Sequence, residues 1–535
     1  MGKKGLDRRD FLKIASMGLA GGYFTLKSGA ALAGRMGGGG GGMGGGGGGG
    51  GMGGGVIDPP PGALFADPVM MPVERANGTV TVNLEAAISQ INVNGSPANL
   101  MTYGWRTNDG IFHGYYPGPT ILVKSGDLMK VNFTNNLPYT TQTNLLGYQK
   151  NLTNLHTHGW HVSPEPPADY VMYHIGAGET YNHVYDLAKQ RAGSFNFYHP
   201  HKHGVSAEQY WAGLAGALIT EDEPGHVLSN YETHLMVLKD ISLSGSDPAP
   251  HSMMSDFMHG KEGNTIMVNG QVNPVLNIKK GQVQRWRILN ASSARWYKLS
   301  FDPASPAGTM YLVGTDGQVL DYPRQLSQIL LSPGERVEVL VKATASAGRT
   351  YKFLSLPYSR MGNMTSAQIT LLTLNINGSV SPAQNLPTAI AGFTPRLDPN
   401  TLPIMARQTL ALSMGQGNGY INGQDFDVEP YEIMSTVGTY EIWTVTNQSG
   451  MDHPFHQHVN PSLILSIKGA DPSYPRYDLM PAWKDTVLIP KWGSVTMLVP
   501  VMDYSGMAMF HCHILEHEDI GMMGMWHLMG GMGGM

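Results

Sequence analysis

The chain has 535 residues, enough for roughly two to four domains that each bury a core. Only 14% of its residues are charged, which is typical of a compact β-rich protein and excludes a long-helix or disordered one. The formal net charge is −5, and the part beyond the basic first 33 residues is more acidic still. That balance excludes a nucleic-acid-binding protein, because such a protein needs a basic surface.

The first 33 residues predict an export signal. The stretch from Asp7 to Lys13 contains two adjacent arginines and resembles the bacterial twin-arginine motif. A weakly apolar stretch follows and ends in an A-x-A cleavage pattern at Ala31 to Ala33. We therefore expect the protein in the periplasm or outside the cell. The alternative is an amphipathic helix, or a membrane anchor if cleavage fails. No later stretch has 18 uninterrupted apolar residues, so we expect no membrane span.

Residues 34–56 are a glycine-rich segment interrupted by Met36, Met43 and Met52. Such a segment cannot repay the entropy of ordering, which predicts a flexible tether. Thioether sulfur is a soft ligand, so these methionines are also candidates for binding Cu(I).

An alternating apolar segment occurs three times, and each time a glycine precedes an asparagine by nine residues. These pairs are Gly126 and Asn135, Gly281 and Asn290, and Gly438 and Asn447. A second pair of strands follows each segment. The pattern predicts three copies of an all-β unit, at residues 57–224, 225–376 and 404–535, with 377–403 as a connector. Short strands bounded by Gly, Pro and Asn predict Greek-key sandwiches.

Histidines concentrate in the two outer copies. Copy one carries His156, His158, His199 and His201. Copy three carries His453, His456, His458, His511, His513 and His517. The middle copy has His226, His234, His251 and His259. None of the middle four lies at an equivalent place, which predicts a structural role for the middle copy and a shared site for the outer ones.

The single cysteine, Cys512, lies between two histidines. Alternate residues of a strand face the same side, so His511 and His513 point one way and Cys512 the other. This predicts two metal sites placed back to back. A thiolate, two imidazoles and a weak axial thioether are the ligand set of blue-copper electron-transfer sites, and here they are Cys512, His453, His517 and Met522. The other eight histidines form four H-x-H pairs, enough for a cluster that reduces oxygen.

These motifs resemble the multicopper oxidases, especially bacterial laccases such as the spore-coat laccase and the periplasmic copper-efflux oxidase. The resemblance covers about residues 57–535. It is carried by Pro117 to Ile121, His156-x-His158-Gly159, His199-x-His201, the His453 motif and the run from His511 to Asp519.

The resemblance implies three cupredoxin domains and four copper ions. Type 1 copper would have the ligands given above, and electrons would pass from it through Cys512 to His511 and His513. The type 2 copper would be held by His156 and His456. The type 3 pair would be held by His158, His199, His201, His458, His511 and His513. Dioxygen would be reduced to water at the cluster.

Oxygen reduction also consumes protons, so carboxylates are expected near the cluster. Glu518 matches the family's proton-relay position. Asp169, thirteen residues after His156, is a second candidate, and a structural role for it is an open alternative.

The reducing substrate is either a metal ion such as Cu(I) or a phenol. The long Met-rich helix of copper-efflux oxidases has no clear counterpart. Shorter Met/His clusters occur from His251 to His259, at Met361 and Met364, and from Met522 to Met529. They are either adaptable packing or Cu(I) ligands with a role in copper homeostasis. We expect a monomer.

Two other classes of function remain as alternatives. One is a copper-binding or copper-tolerance protein without catalysis, which would not need a complete eight-histidine cluster beside a blue-copper site. The other is a copper-free interaction module, which would have lost ligands, and none is missing here.

Overall fold

The computed structural model describes residues 55–302, 308–362 and 364–530, and strands dominate throughout them. This confirms the all-β prediction. The predicted export signal and Met36, Met43 and Met52 lie outside the described residues. The helices are short: α1 (Ser206–Trp211), α2 (Met254–His259) and α3 (Leu515–Asp519). Among the described residues, no helix has the length and apolarity that crossing a membrane requires.

Copy one forms two sheets. Its strands, with one that precedes it, are β1 (Val56–Ile57), β2 (Glu74–Ala76), β3 (Thr79–Val93), β4 (Ser96–Arg106), β5 (Phe112–Tyr115), β6 (Gly118–Val123), β7 (Leu128–Asn135), β8 (His156–His158), β9 (Thr180–Asp186), β10 (Phe195–His199) and β11 (Gly216–Thr220). One sheet has the order β5-β4-β3-β7-β9, with β2 on β3, and the other has the order β6-β11-β10-β8.

Copy two also forms two large sheets. Its strands are β12 (Glu232–Ile241), β13 (Leu243–Ser244), β14 (Asp247–Pro248), β15 (Thr265–Val268), β16 (Val275–Lys280), β17 (Val283–Asn290), β18 (Tyr297–Phe301), β19 (Gly308–Thr315), β20 (Gln318–Leu326), β21 (Gln328–Leu331), β22 (Arg336–Ala343), β23 (Thr350–Leu356) and β24 (Gln368–Ser379). The orders are β15-β12-β17-β22-β19-β20 and β1-β24-β23-β18-β21, with β16 on β24.

Copy three repeats the two-sheet plan. Its strands are β25 (Ile404–Gly415), β26 (Asn418–Ile421), β27 (Tyr431–Thr436), β28 (Thr439–Asn447), β29 (His453–Gln457), β30 (Ser462–Lys468), β31 (Trp483–Lys484), β32 (Thr486–Ile489), β33 (Ser494–Val501), β34 (Gly506–Cys512) and β35 (Met523–Met529). The orders are β26-β25-β28-β33-β30-β31 and β27-β35-β34-β29-β32.

The repeated glycine and asparagine have one structural role in every copy. Each glycine has φ between 82° and 86°, a left-handed conformation that opens the strand without strain. Each asparagine is buried at the strand's end, where its side-chain amide donates to two backbone carbonyls farther along the chain. A buried amide with both donors satisfied fixes the loop that follows β7, β17 or β28.

The start of copy one differs from the predicted boundary. Val56 and Ile57 pair in parallel with Gln368 and Ile369, so β1 extends a sheet of copy two. Val56 therefore belongs to a strand rather than to the glycine-rich tether. Backbone pairing with a distant edge strand leaves no signal in a two-residue sequence segment.

The cores of copies two and three merge, whereas copy one keeps its own. A single cluster of buried side chains includes Trp286 and Phe353 of copy two together with Trp443 and Trp526 of copy three. A smaller cluster of buried side chains joins all three copies. Each copy contributes one of Phe197, Leu289 and Leu515 to it. The histidines and the cysteine predicted to bind metal lie beside this junction, because β10 and α3 carry residues of both groups.

Candidate metal centre

Cys512 and two histidines converge at the end of β34. The Sγ atom of Cys512 lies 3.5 Å from Nδ1 of His453 and 3.5 Å from Nδ1 of His517, and those two nitrogens are 3.1 Å apart. All three side chains are fully buried. The cysteine and these histidines therefore form the candidate metal group that the sequence predicted.

Strand pairing and one turn of helix bring these residues together. Phe455 lies opposite Cys512 and His456 lies opposite His511, so β29 places His453 near the end of β34. His517 follows on α3. The chain then returns, and the amide of Cys512 donates to the Met522 carbonyl at 3.0 Å. Met522 is fully buried, as a fourth ligand requires.

Eight histidines meet on the other side of Cys512, half from copy one and half from copy three. In copy one, β8 and β10 are antiparallel neighbours, with His156 opposite His199. From copy three, His511 has Nε2 3.1 Å from Nε2 of His201 and 3.4 Å from Nε2 of His458. All eight rings are buried. The structure thus brings together every histidine predicted for the cluster, and it places His511 and Cys512 in separate groups, as strand alternation predicted.

These residues fit copper. Five of the eight rings keep a buried nitrogen without a hydrogen-bond partner, an arrangement that costs free energy unless a metal takes the lone pair. The atoms are Nε2 of His156, Nδ1 of His158, Nε2 of His199, Nε2 of His456 and both ring nitrogens of His513. Imidazole nitrogens and one buried thiol are donors that suit copper.

Burial also sets the protonation of these ligands. It lowers the pKa of His199, His458 and His513, and neighbouring imidazoles lower the pKa further. The rings are therefore neutral, with lone pairs free to bind a cation. Burial raises the pKa of the Cys512 thiol, so a metal must displace its proton on binding.

Asp485 contacts two histidines of the cluster, and the sequence did not predict this role. Its Oδ1 lies 3.0 Å from Nε2 of His158, and its backbone oxygen lies 2.9 Å from Nδ1 of His456. These contacts occupy one nitrogen of each ring and leave the other for the metal. No sequence spacing connects Asp485 to His158, since 327 residues separate them.

The middle copy holds that aspartate. Arg336, at the start of β22, donates to Oδ1 and Oδ2 of Asp485 at 2.7 and 2.6 Å. Asp316 accepts from the Arg336 amide at 2.9 Å and lies 2.8 Å from Nζ of Lys484. All four side chains are buried. Copy two supplies none of the cysteine and histidine residues described above, yet it positions a neighbour of these histidines, which corrects its purely structural role.

The two candidate acids lie in different places. Glu518 is fully buried, with Oε1 3.4 Å from Nδ1 of His201 and Oε2 3.7 Å from Nδ1 of His511. Asp169 instead accepts from the amide and hydroxyl of Thr157, and its Oδ2 lies 2.9 Å from Nδ1 of His156. Glu518 therefore lies between two histidines of the cluster, whereas Asp169 holds one of them by a direct contact.

The outer edge of His517 is covered. Its Nε2 lies 3.3 Å from the carbonyl oxygen of Met258, at the end of α2. The segment from His251 to His259 contains this helix. His251 is buried with Nε2 3.1 Å from Oε1 of Glu516, so it anchors the segment to α3. Met253 is 60% exposed, and Met254 and Met258 are partly buried.

Comparisons with known proteins agree with this geometry. Three family models, each described as multicopper oxidase, match residues 106–225, 231–378 and 397–528. A multicopper oxidase of Staphylococcus aureus is 29% identical over 77% of this chain and 82% of its own length. A laccase of Bacillus subtilis is 26% identical over 85% of this chain and 95% of its own length. A solved multicopper oxidase from Campylobacter jejuni, described as a metallo-oxidase, has a TM-score of 0.73 at 25% identity and covers 88% of this chain and 97% of its own.

Proposed function

The chain belongs to the multicopper oxidase family, and on that basis we propose that it oxidises Cu(I) at a type 1 site and passes the electrons to dioxygen at a trinuclear cluster. Its laccase-like oxidase activity follows from the family and its relatives. Beyond that activity, we propose that Cu(I) is the substrate. The observation that carries it is the Met258 carbonyl over His517.

We propose the following assignment of ligands to four coppers. Type 1 copper takes Cys512, His453 and His517 with Met522 as axial ligand, type 2 takes His156 and His456, and the type 3 pair takes His158, His199, His201, His458, His511 and His513. Bound there, copper would supply the one-electron steps that connect the substrate to dioxygen.

The protein's own residues then have definite tasks. Cys512 is joined by one peptide bond to His511 and by another to His513. The shortest covalent route between the type 1 site and the cluster therefore runs from Cys512 directly into either histidine. Glu518 lies between His201 and His511, where it can hold a proton at either carboxylate oxygen. Asp169 keeps His156 oriented through Nδ1, and its role is positioning.

A covered His517 favours a small ion over a phenol. A phenol needs an open apolar cleft against the histidine edge, whereas an ion needs only a few ligand atoms near it. Thioethers lie close to that cover, since Met254, Met258 and Met414 pack in one cluster with Ile520 of the loop after α3. Soft sulfur prefers Cu(I) to harder ions such as Mn(II). The Campylobacter jejuni relative is likewise described as a metallo-oxidase.

Oxygen uptake with Cu(I), Mn(II), Fe(II) and a phenol, measured in parallel, tests the proposal. We expect the highest kcat/KM with Cu(I) and consumption of one dioxygen for four Cu(I) oxidised. Met254→Leu with Met258→Leu should raise KM for Cu(I) and leave phenol oxidation nearly unchanged, because leucine conserves volume but lacks sulfur. Met405→Leu is the control, since Met405 is an exposed methionine outside that cluster.

Two outcomes would overturn the proposal. A phenol oxidised with a higher kcat/KM than Cu(I) would make the protein a general laccase. Copper bound without any oxygen uptake would favour a copper-tolerance protein without catalysis.

We also propose export by the twin-arginine route to the periplasm or beyond, on the strength of the motif near Arg8 and Arg9. Replacing both arginines by lysine should retain the protein in the cytoplasm, as measured by cell fractionation.

A further inference from the structure

A row of metal-binding side chains crosses the outer face of the sheet β27-β35-β34, away from the centre described above. Met434 on β27 lies opposite His527 on β35, and His527 lies opposite Met507 on β34. β34 and β35 are antiparallel, and side chains directly opposite on such strands have Cβ atoms about 4.5–5.5 Å apart. We name Met434, His527 and Met507 the methionine row.

The row faces solvent. Met434 is 68% exposed and the His527 side chain 29%, and Met507 is partly exposed. The alternate residues of these strands, such as Trp526 and Ala508, point into the core. More methionines share the outer face of β35, because Met525 and Met529 lie two residues either side of His527.

One ring nitrogen of His527 has no hydrogen-bond partner. Nε2 of His527 is shielded from water and makes no hydrogen bond. The Glu432 carboxylate lies close to this nitrogen, with Oε2 3.5 Å away. A shielded nitrogen loses its hydrogen bond to water, and a carboxylate at 3.5 Å without hydrogen-bond geometry replaces that bond only in part, so the position suits a bound cation.

Packing explains only the other end of this face. Met509 and Met523 are buried against Val171 of copy one, where adaptable thioethers fill an irregular gap. Met434 and Met529, which is 52% exposed, have no such cover. An exposed thioether gains little from burial, so packing does not account for its position beside the imidazole of His527.

We infer that the methionine row binds a soft monovalent cation, Cu(I) in particular. Two thioethers and one imidazole are ligands that such a cation prefers, and the Glu432 carboxylate balances its charge. Met507 and Cys512 are five residues apart on β34, which corresponds to about 17 Å. The row therefore holds an ion apart from the type 1 site, and binding does not depend on the proposed oxidase reaction.

Titration of the copper-loaded protein with Ag(I) tests the inference, because Ag(I) is a soft monovalent ion that dioxygen does not oxidise. Calorimetry should show that His527→Gln and the double variant Met434→Leu with Met507→Leu each lose one Ag(I) equivalent, or bind it at least about tenfold more weakly. Met405→Leu and Met70→Leu remove exposed methionines elsewhere and should bind as the unaltered protein does.

Equal Ag(I) binding in all variants would overturn the inference, and so would the same loss in the two control variants. Phenol oxidation by each variant should match the unaltered protein, which shows that the fold and the catalytic coppers are intact. If the unaltered protein fails to oxidise Cu(I), the proposed function fails while the Ag(I) result still decides the row.

Discussion

Cys512 has two neighbours that face away from it, and this alternation divides one strand end between two metal groups. Its sulfur lies with His453 and His517, whereas His511 lies with His201 and His458. Because every one of these side chains is buried, a charged or unpaired group there would be costly. The local sequence H-C-H is thus tied to copper by burial as well as by ligand chemistry.

The buried Met522 gives a first prediction at the residue scale. It lies beneath Gly419, where a Cβ would come within 2.7 Å of the Met522 Cβ, so its position is closely fixed. Met522→Leu removes an electron-donating thioether and should raise the type 1 reduction potential. A spectroelectrochemical titration measures this. Met523→Leu, a buried methionine against Val171, is the control and should leave the potential unchanged.

Asp485 gives a second prediction. Asp485→Asn keeps the shape of the side chain but weakens its hold on His158 and on Arg336. We expect copper affinity at the cluster to fall about 10–100-fold while the blue colour of the type 1 site persists. Metal analysis and electron paramagnetic resonance distinguish loss of copper from the cluster from loss of copper from the type 1 site. Glu338→Gln breaks a buried pair with Arg285 that touches no ligand, and a similar copper loss there would reject a positioning role for Asp485.

Among the elements, α2 decides what can reach His517. Its carbonyl at Met258 covers the ring, and Arg360 fixes the end of the helix by donating to the His259 carbonyl at 2.7 Å. Arg360 also pairs with Glu262 at 2.9 Å. The cover is therefore anchored on both sides, by this arginine and by His251 on Glu516.

Removal of that cover is the element-scale prediction. A Gly-Ser linker of equal length in place of residues 254–259 should raise kcat/KM for a phenol by about tenfold, as expected if about 1.4 kcal/mol is no longer needed to displace the helix. Cu(I) oxidation should fall, because Met254 and Met258 are lost. Steady-state kinetics with both substrates measures the change, and an intact blue absorption band confirms folding. Unchanged phenol kinetics would show that α2 is not the barrier.

The same elements show what sequence alone can predict. The ligand histidines were predictable because they occur in short motifs on strands, and the strands because Gly126 and Asn135 recur at the same spacing in three copies. Asp485 and the Met258 carbonyl were not, since their roles arise from contacts between distant segments. A backbone carbonyl in particular carries no side-chain signal at all.

At the scale of the whole molecule, charged residues are buried where the copies meet. Lys239 of copy two donates to the carbonyl oxygens of Tyr210 in copy one at 2.6 Å and of Ala291 at 3.2 Å. Burial lowers its pKa to about 7, although Asp240 and Glu516 oppose the shift. The folded protein therefore resists protonation of Lys239, whereas the unfolded chain does not.

This lysine predicts a dependence of stability on pH. Between about pH 7 and 10.5 the unfolded chain keeps the proton that folded Lys239 has released, so stability should rise with pH, by at most about 1.4 kcal/mol per unit. Lys239→Met should remove that rise, because its two lost hydrogen bonds cost the same at every pH. Unfolding midpoints in urea at pH 7 and 9 measure it. If the unfolding midpoint changed equally between pH 7 and 9 in both proteins, Lys239 would not titrate in this range.

Copper itself should hold the outer copies together. In the proposed assignment the cluster would take His156 and His199 from copy one and His456 and His511 from copy three, so its ions would join two copies, whereas the type 1 group lies within copy three alone. A ligand that binds only the folded state stabilises it. Removing all copper with a chelator should therefore lower Tm well beyond the change caused by Cys512→Ser, which removes only the type 1 ion and its blue colour. Calorimetry of both samples measures this. Limited proteolysis should then cut copy one first in the copper-free protein, and equal Tm losses in the two samples would contradict a joining role for the cluster.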